Sequence, residues 1–336
     1  LVTIYDIAKE ANVSAMTVSR VINNKGRISE ATRIKVRKVM EELGYVPNTV
    51  ARSLVLQQTH MLSLLIADIT NPFYTTLARG AEDAAKRLGY KLLFGNSDES
   101  MAKEKDYVDM ILSTRVDGVL FAPTGDTSLE HLRLLEKRGI PFVLLDREVP
   151  GIKSDIVQGD SKEGARKLID HLIDLGHTRI ALINGSSDTS TARYRYLGYR
   201  EALKLRDLPF DEALVQEVTY RGLEDEAVLS TLLTLPNPPT AIFAANNLLA
   251  LGIIKILRGI GLSVPEDISL VCYDDLGFAS EMNPFLTVAA QPAYQFGSMG
   301  MQLLVERIQG NAGTNPRTLI FPSDIRVRSS SAPPVR

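Results

Sequence analysis

The chain has 336 residues, 45% of them apolar and 23% charged, the composition of an ordinary soluble protein long enough for two or three well-buried units. A single cysteine, Cys272, excludes an intramolecular disulfide and any zinc cluster built from several cysteines, and no apolar run reaches the ~18 residues needed to span a bilayer. The net charge of −2 hides an asymmetry: residues 1–60 hold four Lys and five Arg against one Asp and four Glu, so the head carries +4 and the remainder −6, which suits a protein that sets only its N-terminus against phosphates.

Residues 3–24, TIYDIAKEANVSAMTVSRVINN, have the pattern of a helix-turn-helix. Thr3 and Asp6 stand in capping-box spacing, and Ile4, Ile7, Ala8 and Ala11 then recur at helical offsets of three and four. Asn12 falls where the chain must turn, a place suited to a left-handed backbone. Ser14 can cap a second helix running to about Val21 or Ile22. Val18, Val21 and Ile22 form one face of it; Ala15, Met16, Ser19, Arg20 and Asn23 form the other. A short helix with small and hydrogen-bonding residues on its free side fits the major groove of DNA. A third helix follows, capped by Ser29, packed through Val36, Val39, Met40 and Leu43, and stopped at Gly44. Its Arg33, Lys35, Arg37 and Lys38 suit a solvated basic face at least as well as phosphate contact. In GYVPNTVARSLVLQQT, Pro47 breaks the preceding element, and Asn48 or Thr49 starts a short helix with Val50, Ala51 and Leu54. Two turns alone are marginal in water, so this segment is expected to fold only against a partner.

From Met61 onward, β-rich runs alternate with amphipathic helices: LSLLIADI, YKLLFGN, DGVLFAP, PFVLLDR, SDIVQGD, TRIALING, VQEVTY, TAIFAAN and DISLVCYDD. This is the pattern of βαβ units and parallel sheets. Nine strands are too many for one small sheet, so two doubly wound lobes with a cleft between them are expected. Cys272 falls in the run ISLVCY and reads as a buried strand residue rather than a reactive thiol. LTVAAQP leads into a helix of about Tyr294–Gln309, and TLIFPSDIRVRSS reads as one late strand.

The motifs VSAMTVSRVINN, YVPNTVARSL, ITNPFYTTLARGAED, LGHTRIALING, PTAIFAANNLLALG and VPEDISLVCYDD followed by LTVAAQP, in this order and spacing, resemble the LacI/GalR family of bacterial transcription regulators over essentially the full length. The resemblance implies an α/β protein with an all-α helix-turn-helix head and a two-lobed, periplasmic-binding-protein-like (type I) core of doubly wound parallel sheets. The implied domains are a head at 1–46, a hinge helix and linker at 47–60, and a core at 61–331. The N-lobe would take about 61–160 and 293–322, and the C-lobe about 161–291 and 323–331, with chain crossings near Asp160, Pro292 and Pro322. It also implies that Ala15, Met16 and Arg20 read base edges, with Thr17, Ser19 and Asn23 nearby. Leu54 would be levered into the minor groove while Ala51 packs on the backbone. Thr3, Ser14 and Asn48 complete the set assigned to DNA. Arg20 suits guanine O6 and N7, with a phosphate contact as the alternative; Ala15 and Met16 offer only apolar contact. Reading a pseudo-palindrome calls for a two-fold dimer, and the end SSSAPPVR has no leucine heptads for a tetramer.

Ligands of two-lobed α/β proteins sit at the carboxyl ends of strands. Those ends supply Asn71, Phe73, Tyr74, Asp146, Arg147 and Asp160 from the first half. The second half supplies Arg195, Tyr220, Asn246 with Asn247, and Asp274 with Asp275. The resemblance marks Phe73, Asp146, Arg195, Tyr220, Asn246 and Asp274 as effector contacts, and rings beside Asp, Asn and Arg suit a sugar. Individually, Phe73 or Tyr74 could instead pack a helix start, and Asp146 or Asp275 could cap a helix or pair internally. Many relatives carry Asn-Asp at 246–247, where this chain has Asn-Asn. Purine-binding relatives carry arginine near position 189, where Thr189 stands, which argues against a purine corepressor. Arg147, Arg193 and Arg195 could favour a sugar acid or sugar phosphate, or could pair with Asp146, Asp160 or Asp188, so neutral and anionic effectors both remain open.

The expected function is a cytoplasmic, sugar-responsive repressor, homodimeric, without cofactor or metal. The alternative is a corepressor-dependent global regulator assisted by a phosphorylated carrier protein. A transport solute-binding protein is disfavoured by the head and by the lack of a signal peptide before the first helix. A sugar-processing enzyme is remote: no GxxxxGK loop and no HExxH pair occur, and His171 and His177 read as structural.

Overall fold

The Asp6 carboxylate accepts hydrogen bonds from the Thr3 N–H (2.8 Å) and hydroxyl (2.7 Å), fixing the start of helix α1 (Ile4–Glu10). The structure, a computed structural model, describes residues 2–23, 26–45, 59–223 and 225–335. The chain turns at Asn12, whose φ is +47°, and enters α2 (Ala15–Ile22), where the Ser14 hydroxyl accepts from the Thr17 N–H at 3.1 Å. Ser29 caps α3 (Glu30–Glu42) in the same way through the Thr32 N–H. Ile7, Ala11, Val18, Val21, Val36 and Val39 are buried together among the three helices. Leu43, expected on the packed face, is instead 37% exposed, because the helix has ended and it serves as the C-cap. The expected hinge helix with Asn48, Ala51 and Leu54 lies outside the described residues.

Residues His60–Arg336 form the second of two units, separate from Leu1–Thr59. Its first sheet is built from β1 (Met61–Ile66), β2 (Lys91–Asn96), β3 (Gly118–Phe121), β4 (Phe142–Leu145), β5 (Asp155–Gly159) and β11 (Thr318–Phe321), in the order β11-β5-β4-β3-β1-β2 and wholly parallel. The second contains β6 (Ile180–Asn184), β7 (Val215–Glu217), β8 (Ala241–Ala244), β9 (Ser269–Tyr273), β10 (Thr287–Ala290) and β12 (Asp324–Arg326), in the order β12-β10-β9-β8-β6-β7. Only the β10–β12 pair is antiparallel there. The two orders correspond strand for strand, so the lobes share one plan. Central strands such as FVLL and AIFA are buried along their whole length, as parallel strands between two helical layers must be.

Helices α4 (Pro72–Arg87), α5 (Met101–Thr114) and α6 (Leu129–Lys137) precede the first crossing between lobes. Helices α7 (Ser161–Asp174), α8 (Ser190–Leu205), α9 (Glu226–Leu233), α10 (Asn247–Gly259) and α11 (Phe278–Met282) belong to the second lobe, and α12 (Ala293–Ile308) returns to the first. It does so by direct backbone approach to α4. A Cβ at Gly297 would lie 1.9 Å from the Leu77 carbonyl oxygen, and one at Gly80 would lie 2.0 Å from that of Tyr294, so no larger residue fits without separating the helices.

The chain passes between sheets after β5, after β10 and between β11 and β12. The TLIFPSDIRV segment is therefore not one strand. Pro322 interrupts it, Thr318–Phe321 adding to the first sheet and Asp324–Arg326 to the second, because a proline cannot donate to a ladder. At the base of the first lobe the fully buried Asp155 carboxylate binds Arg307 through Nε (3.0 Å) and Nη2 (2.6 Å) and Arg317 through Nη2 (2.7 Å) and its backbone N–H (2.7 Å). It thereby ties α12 and the approach to β11 to β5.

Candidate DNA-reading helix and ligand cleft

On α2, Met16 is 65% exposed and Arg20 is exposed, both on the face away from the head core. Ala15 was expected on that same face; it instead packs against the core, being the first residue after the cap. Ser14 and Thr17 share a hydroxyl–hydroxyl hydrogen bond of 2.9 Å. Asn23 folds back so that Nδ2 donates to the Ser19 carbonyl (2.9 Å) and Oγ (3.3 Å), while its buried Oδ1 has no partner. Thr3 closes α1. Tyr5, at 72% exposed, is a large free side chain on α1 that sequence reasoning passed over; its position two residues after the cap was the available signal. Arg33 and Lys38 pair with Glu30 (3.6 Å) and Glu42 (3.7 Å), the solvated-face arrangement.

The cleft is built on two equivalent aspartates. Asp146 follows β4 and Asp274 follows β9, the corresponding strands of the two lobes. Both have positive φ (+66° and +69°). Each donates its N–H to the next strand, Asp146 to the Val157 carbonyl (2.8 Å) and Asp274 to that of Ala289 (3.0 Å). Non-glycine residues rarely hold this conformation unless the surroundings enforce it, and here it turns both carboxylates toward one cavity. The cavity is narrow and is lined by Asp68, Asn71, Phe73, Tyr74, Glu99, Asp146, Arg147, Thr191, Arg195, Tyr220, Asn246, Leu248 and Asp274.

In the first lobe, Asn71 caps α4 by accepting from the Phe73 N–H (2.9 Å). Phe73 and Tyr74 are both buried: Phe73 packs edge-on against Phe296, and the Tyr74 hydroxyl donates to Asp146 Oδ2 at 3.0 Å. Arg147 is clamped by Glu99, Nη2 to Oε1 at 2.6 Å and Nη1 to Oε2 at 2.8 Å, and Nη1 also reaches the carbonyls of Pro123 and Thr124.

In the second lobe, Arg195 donates Nη1 to the Ala245 carbonyl at 2.6 Å, lies 3.9 Å over the Tyr273 ring and approaches Asp274 at 3.7 Å. The Tyr220 ring lies within cation–π range of both arginines, 5.6 Å from Arg147 and 5.8 Å from Arg195. Asn246 is occupied as the cap of α10, accepting from the Leu249 N–H, with Nδ2 donated to the Tyr220 carbonyl. Burial raises the Asp274 carboxyl to about 6, with Arg195 and Gln291 opposing and Asp146 adding to the rise. Its neighbour Asp275 is also raised by burial, but hydrogen bonds from Arg328, Ser280 and the Leu276 N–H outweigh this and hold it near 2. Burial pushes the Cys272 thiol well up, as befits an inert core residue.

The lobes are joined across the cleft mouth. Arg193 Nη1 reaches Asp126 at 2.7 Å, Arg221 reaches Asp98 at 3.3 Å, the Tyr194 hydroxyl donates to Glu148 at 2.6 Å, and Asn247 Nδ2 donates to Asn71 Oδ1 at 3.0 Å. Arg193 thus pairs with Asp126 rather than Asp160 or Asp188. Asp160 does not line the cleft: its carboxylate accepts from the Glu163 N–H and caps α7 at the first crossing. Asp68, Glu99, Thr191 and Leu248 line it and were not anticipated. Asp68 ends β1 and obeyed the same strand-end rule; Glu99 sits in the polar run SDES, which reads as a turn. Thr189 is buried, donating to the Ser186 carbonyl at 2.9 Å. His177 bridges Thr240 and the Ala332 carbonyl, and His171 contacts Ser331. Among the described residues no group of three or more His, Cys, Asp or Glu is placed to hold a metal ion, and no helix is long and apolar enough to cross a membrane.

Residues 3–48 match the profile of bacterial regulatory proteins of the lacI family, and residues 169–331 that of the periplasmic binding protein-like domain. The chain is 37% identical over 334 residues to the HTH-type transcriptional regulator DegA of Bacillus subtilis (strain 168), covering 98% of each. It belongs to the LacI family. Members of the family are DNA-binding transcriptional repressors rather than enzymes. Among solved structures, the lac repressor dimer bound to operator and the anti-inducer ONPF superposes with a TM-score of 0.84 at 28% identity, over 98% of this chain and 99% of that one. The complex of the transcriptional regulator CelR with cellobiose gives 0.73 at 32% identity, over 98% of this chain and all of that one. The family assignment places the helix-turn-helix and the two-lobed α/β core in one regulator.

Proposed function

We propose that this protein is a homodimeric, cytoplasmic repressor whose grip on a pseudo-palindromic operator is set by a sugar held between the two core lobes. The paired Asp146 and Asp274, left-handed at matching strand ends and facing one cavity, carry this reading. Carboxylates from both lobes, with rings and guanidiniums between them, bond hydroxyls in several directions at once. The cellobiose complex of a similar regulator supports a sugar as ligand. The dimer bound to operator in the lac repressor structure supports a second copy as partner. The side chains of Phe278 and Met282, each 91% exposed on α11 of this chain, are apolar surface for it to cover. The regulated elements are the hinge residues Asn48, Ala51 and Leu54, and the reading residues are Met16 and Arg20, with Thr3, Ser14, Thr17, Ser19 and Asn23 orienting the helix and Ala15 packed behind it. The test is a titration of the full chain on its operator with and without sugars. A ligand that loosens the complex marks an inducer, one that tightens it marks a corepressor, and no sugar acting in either direction overturns the reading.

Arg20→Ala should cost about 1–3 kcal/mol of discrimination at one base pair of each half-site, seen as a flattened preference at that position when operator variants are titrated, with head folding unchanged. Effector affinity should fall as the pH drops from 7 to 5. The Asp274 carboxyl, raised to about 6 by burial, accepts a ligand hydroxyl far more strongly when ionised. Below that pH the loss approaches about tenfold per unit, and Asp274→Asn should bind weakly at every pH with no such slope. The sign for folding is the reverse. The native carboxyl holds a proton that the unfolded chain has released, so the stability attributable to this group declines as pH rises from about 4 through 6.

A further inference from the structure

Glu99 stands outside the residues expected to touch a ligand, yet it controls one that lines the cleft. Both Nη groups of Arg147 are held by the Glu99 carboxylate (2.6 and 2.8 Å), and Nη1 also by the carbonyls of Pro123 and Thr124. Its Nε is buried and has no hydrogen-bond partner, 3.8 Å from Asp146. Arg195 is in the same state: Nη1 is bound to the Ala245 carbonyl, Nη2 lies 3.7 Å from Asp274, and Nε is buried and unpartnered. Each guanidinium therefore lies beside a carboxylate of the lining, Arg147 beside Glu99 and Asp146 and Arg195 beside Asp274, so neither brings uncompensated positive charge to a ligand. The lining holds four carboxylates, of Asp68, Glu99, Asp146 and Asp274, against two guanidiniums, leaving a formal excess of two negative charges.

Glu99 is held in place by its backbone. Asp98 and Glu99 are consecutive left-handed residues (φ +57° and +52°), the Glu99 N–H donates to the Ala67 carbonyl at 2.8 Å, and Asp98 is anchored by Lys103 at 2.7 Å and Arg221 at 3.3 Å. Two adjacent non-glycine residues in this conformation persist only where the surroundings hold them.

We infer that Glu99 is a positioning residue that sets the charge preference of the cleft, holding and neutralising Arg147 so that the ligand is an uncharged polyhydroxyl molecule and its carboxylate or phosphate counterparts are rejected. The inference rests on the reading of the cleft as the effector site. Hydroxyls satisfy both halves of the lining at once, donating to the carboxylates and accepting from the two Nε–H groups. An added anion meets a lining whose carboxylates outnumber its guanidiniums, and like charge repels strongly at short range in a medium of low dielectric constant.

The test is calorimetric titration of the full chain and of Glu99→Gln with matched probes: glucose, glucuronate and glucose phosphate; ribose and ribose phosphate; and cellobiose. The wild type is expected to bind one uncharged sugar at least about 100-fold more tightly than its charged counterpart, and Glu99→Gln to narrow that ratio by roughly tenfold or more by releasing Arg147. A residue that merely shaped its loop would weaken all probes alike, so an unchanged ratio in a variant with native thermal unfolding overturns the role of Glu99. A wild type that prefers the acid or phosphate overturns the inference while leaving a sugar effector standing, and this comparison needs no variant. Failure of every probe, charged or not, overturns the sugar reading together with the inference.

Discussion

Arg195→Met is expected to leave a repressor that binds operator and ignores its effector. The guanidinium touches three parts of the second lobe: the Ala245 carbonyl at the end of β8, the Tyr273 ring of β9 and the Asp274 carboxylate. Methionine fills much of the volume but supplies no donor. Asp274 is then buried beside Asp146 with only Gln291 opposing its protonation, and it takes up a proton at higher pH than in the wild type. Loss of one partner from a buried charged pair costs about 3–5 kcal/mol, divided here between folding and ligand binding. Effector affinity should fall by about 100-fold or more, measured by titration, while operator affinity without effector stays at the wild-type level. Operator affinity falling in parallel would show that Arg195 supports the fold alone.

Asp155→Ala should be the most destabilising single change in the first lobe, by about 3–5 kcal/mol in urea unfolding. One buried carboxylate satisfies Arg307 from α12 and both the side chain and backbone of Arg317 before β11. Its removal leaves two guanidiniums facing each other, with Glu306 still holding Arg317. The pH dependence distinguishes this from simple loss of packing. Burial raises the Asp155 carboxyl, but the hydrogen bonds from Arg307 and Arg317 outweigh it and hold the group below its ordinary range. Its contribution is therefore complete above the unfolded value near 4 and is lost as pH falls through the lower native value. The gap between wild type and variant should close in acid and stay constant from pH 5 to 8.

Much of this could be read from the chain, and the failures have physical causes. Thr3 with Asp6, Ser14 and Ser29 act within three residues of themselves, so spacing alone located the helix starts. The rule that ligands lie at carboxyl ends of parallel strands gathered Asn71, Tyr74, Asp146, Arg147, Tyr220 and Asp274 from 204 residues of sequence into one cavity. The same rule put Asp160 there, but β5 leads straight into the first crossing and its carboxylate is spent on the start of α7. Glu99 was invisible because its partner lies 48 residues away and nothing in SDES distinguishes a clamp from a turn. Arg193 needs a counter-ion, but Asp126 lies in the other lobe, and only the folded arrangement of the lobes brings the two together. The late strand was misread because TLIF and DIR each look like β-structure and only the pairing shows that they join different sheets.

The close backbone fit of α12 against α4 bears on how the chain is born. The N-terminal half of the first lobe leaves the ribosome long before Ala293–Ile308 and Thr318–Phe321, the helix and edge strand that cover it, so its apolar flank waits while the entire second lobe is made. A polypeptide halted anywhere before that return would have a finished head attached to an unfinished body. In such a fragment the small-residue face of α4 that receives α12 stays uncovered, so the first lobe cannot complete its core until the last quarter of the chain is made.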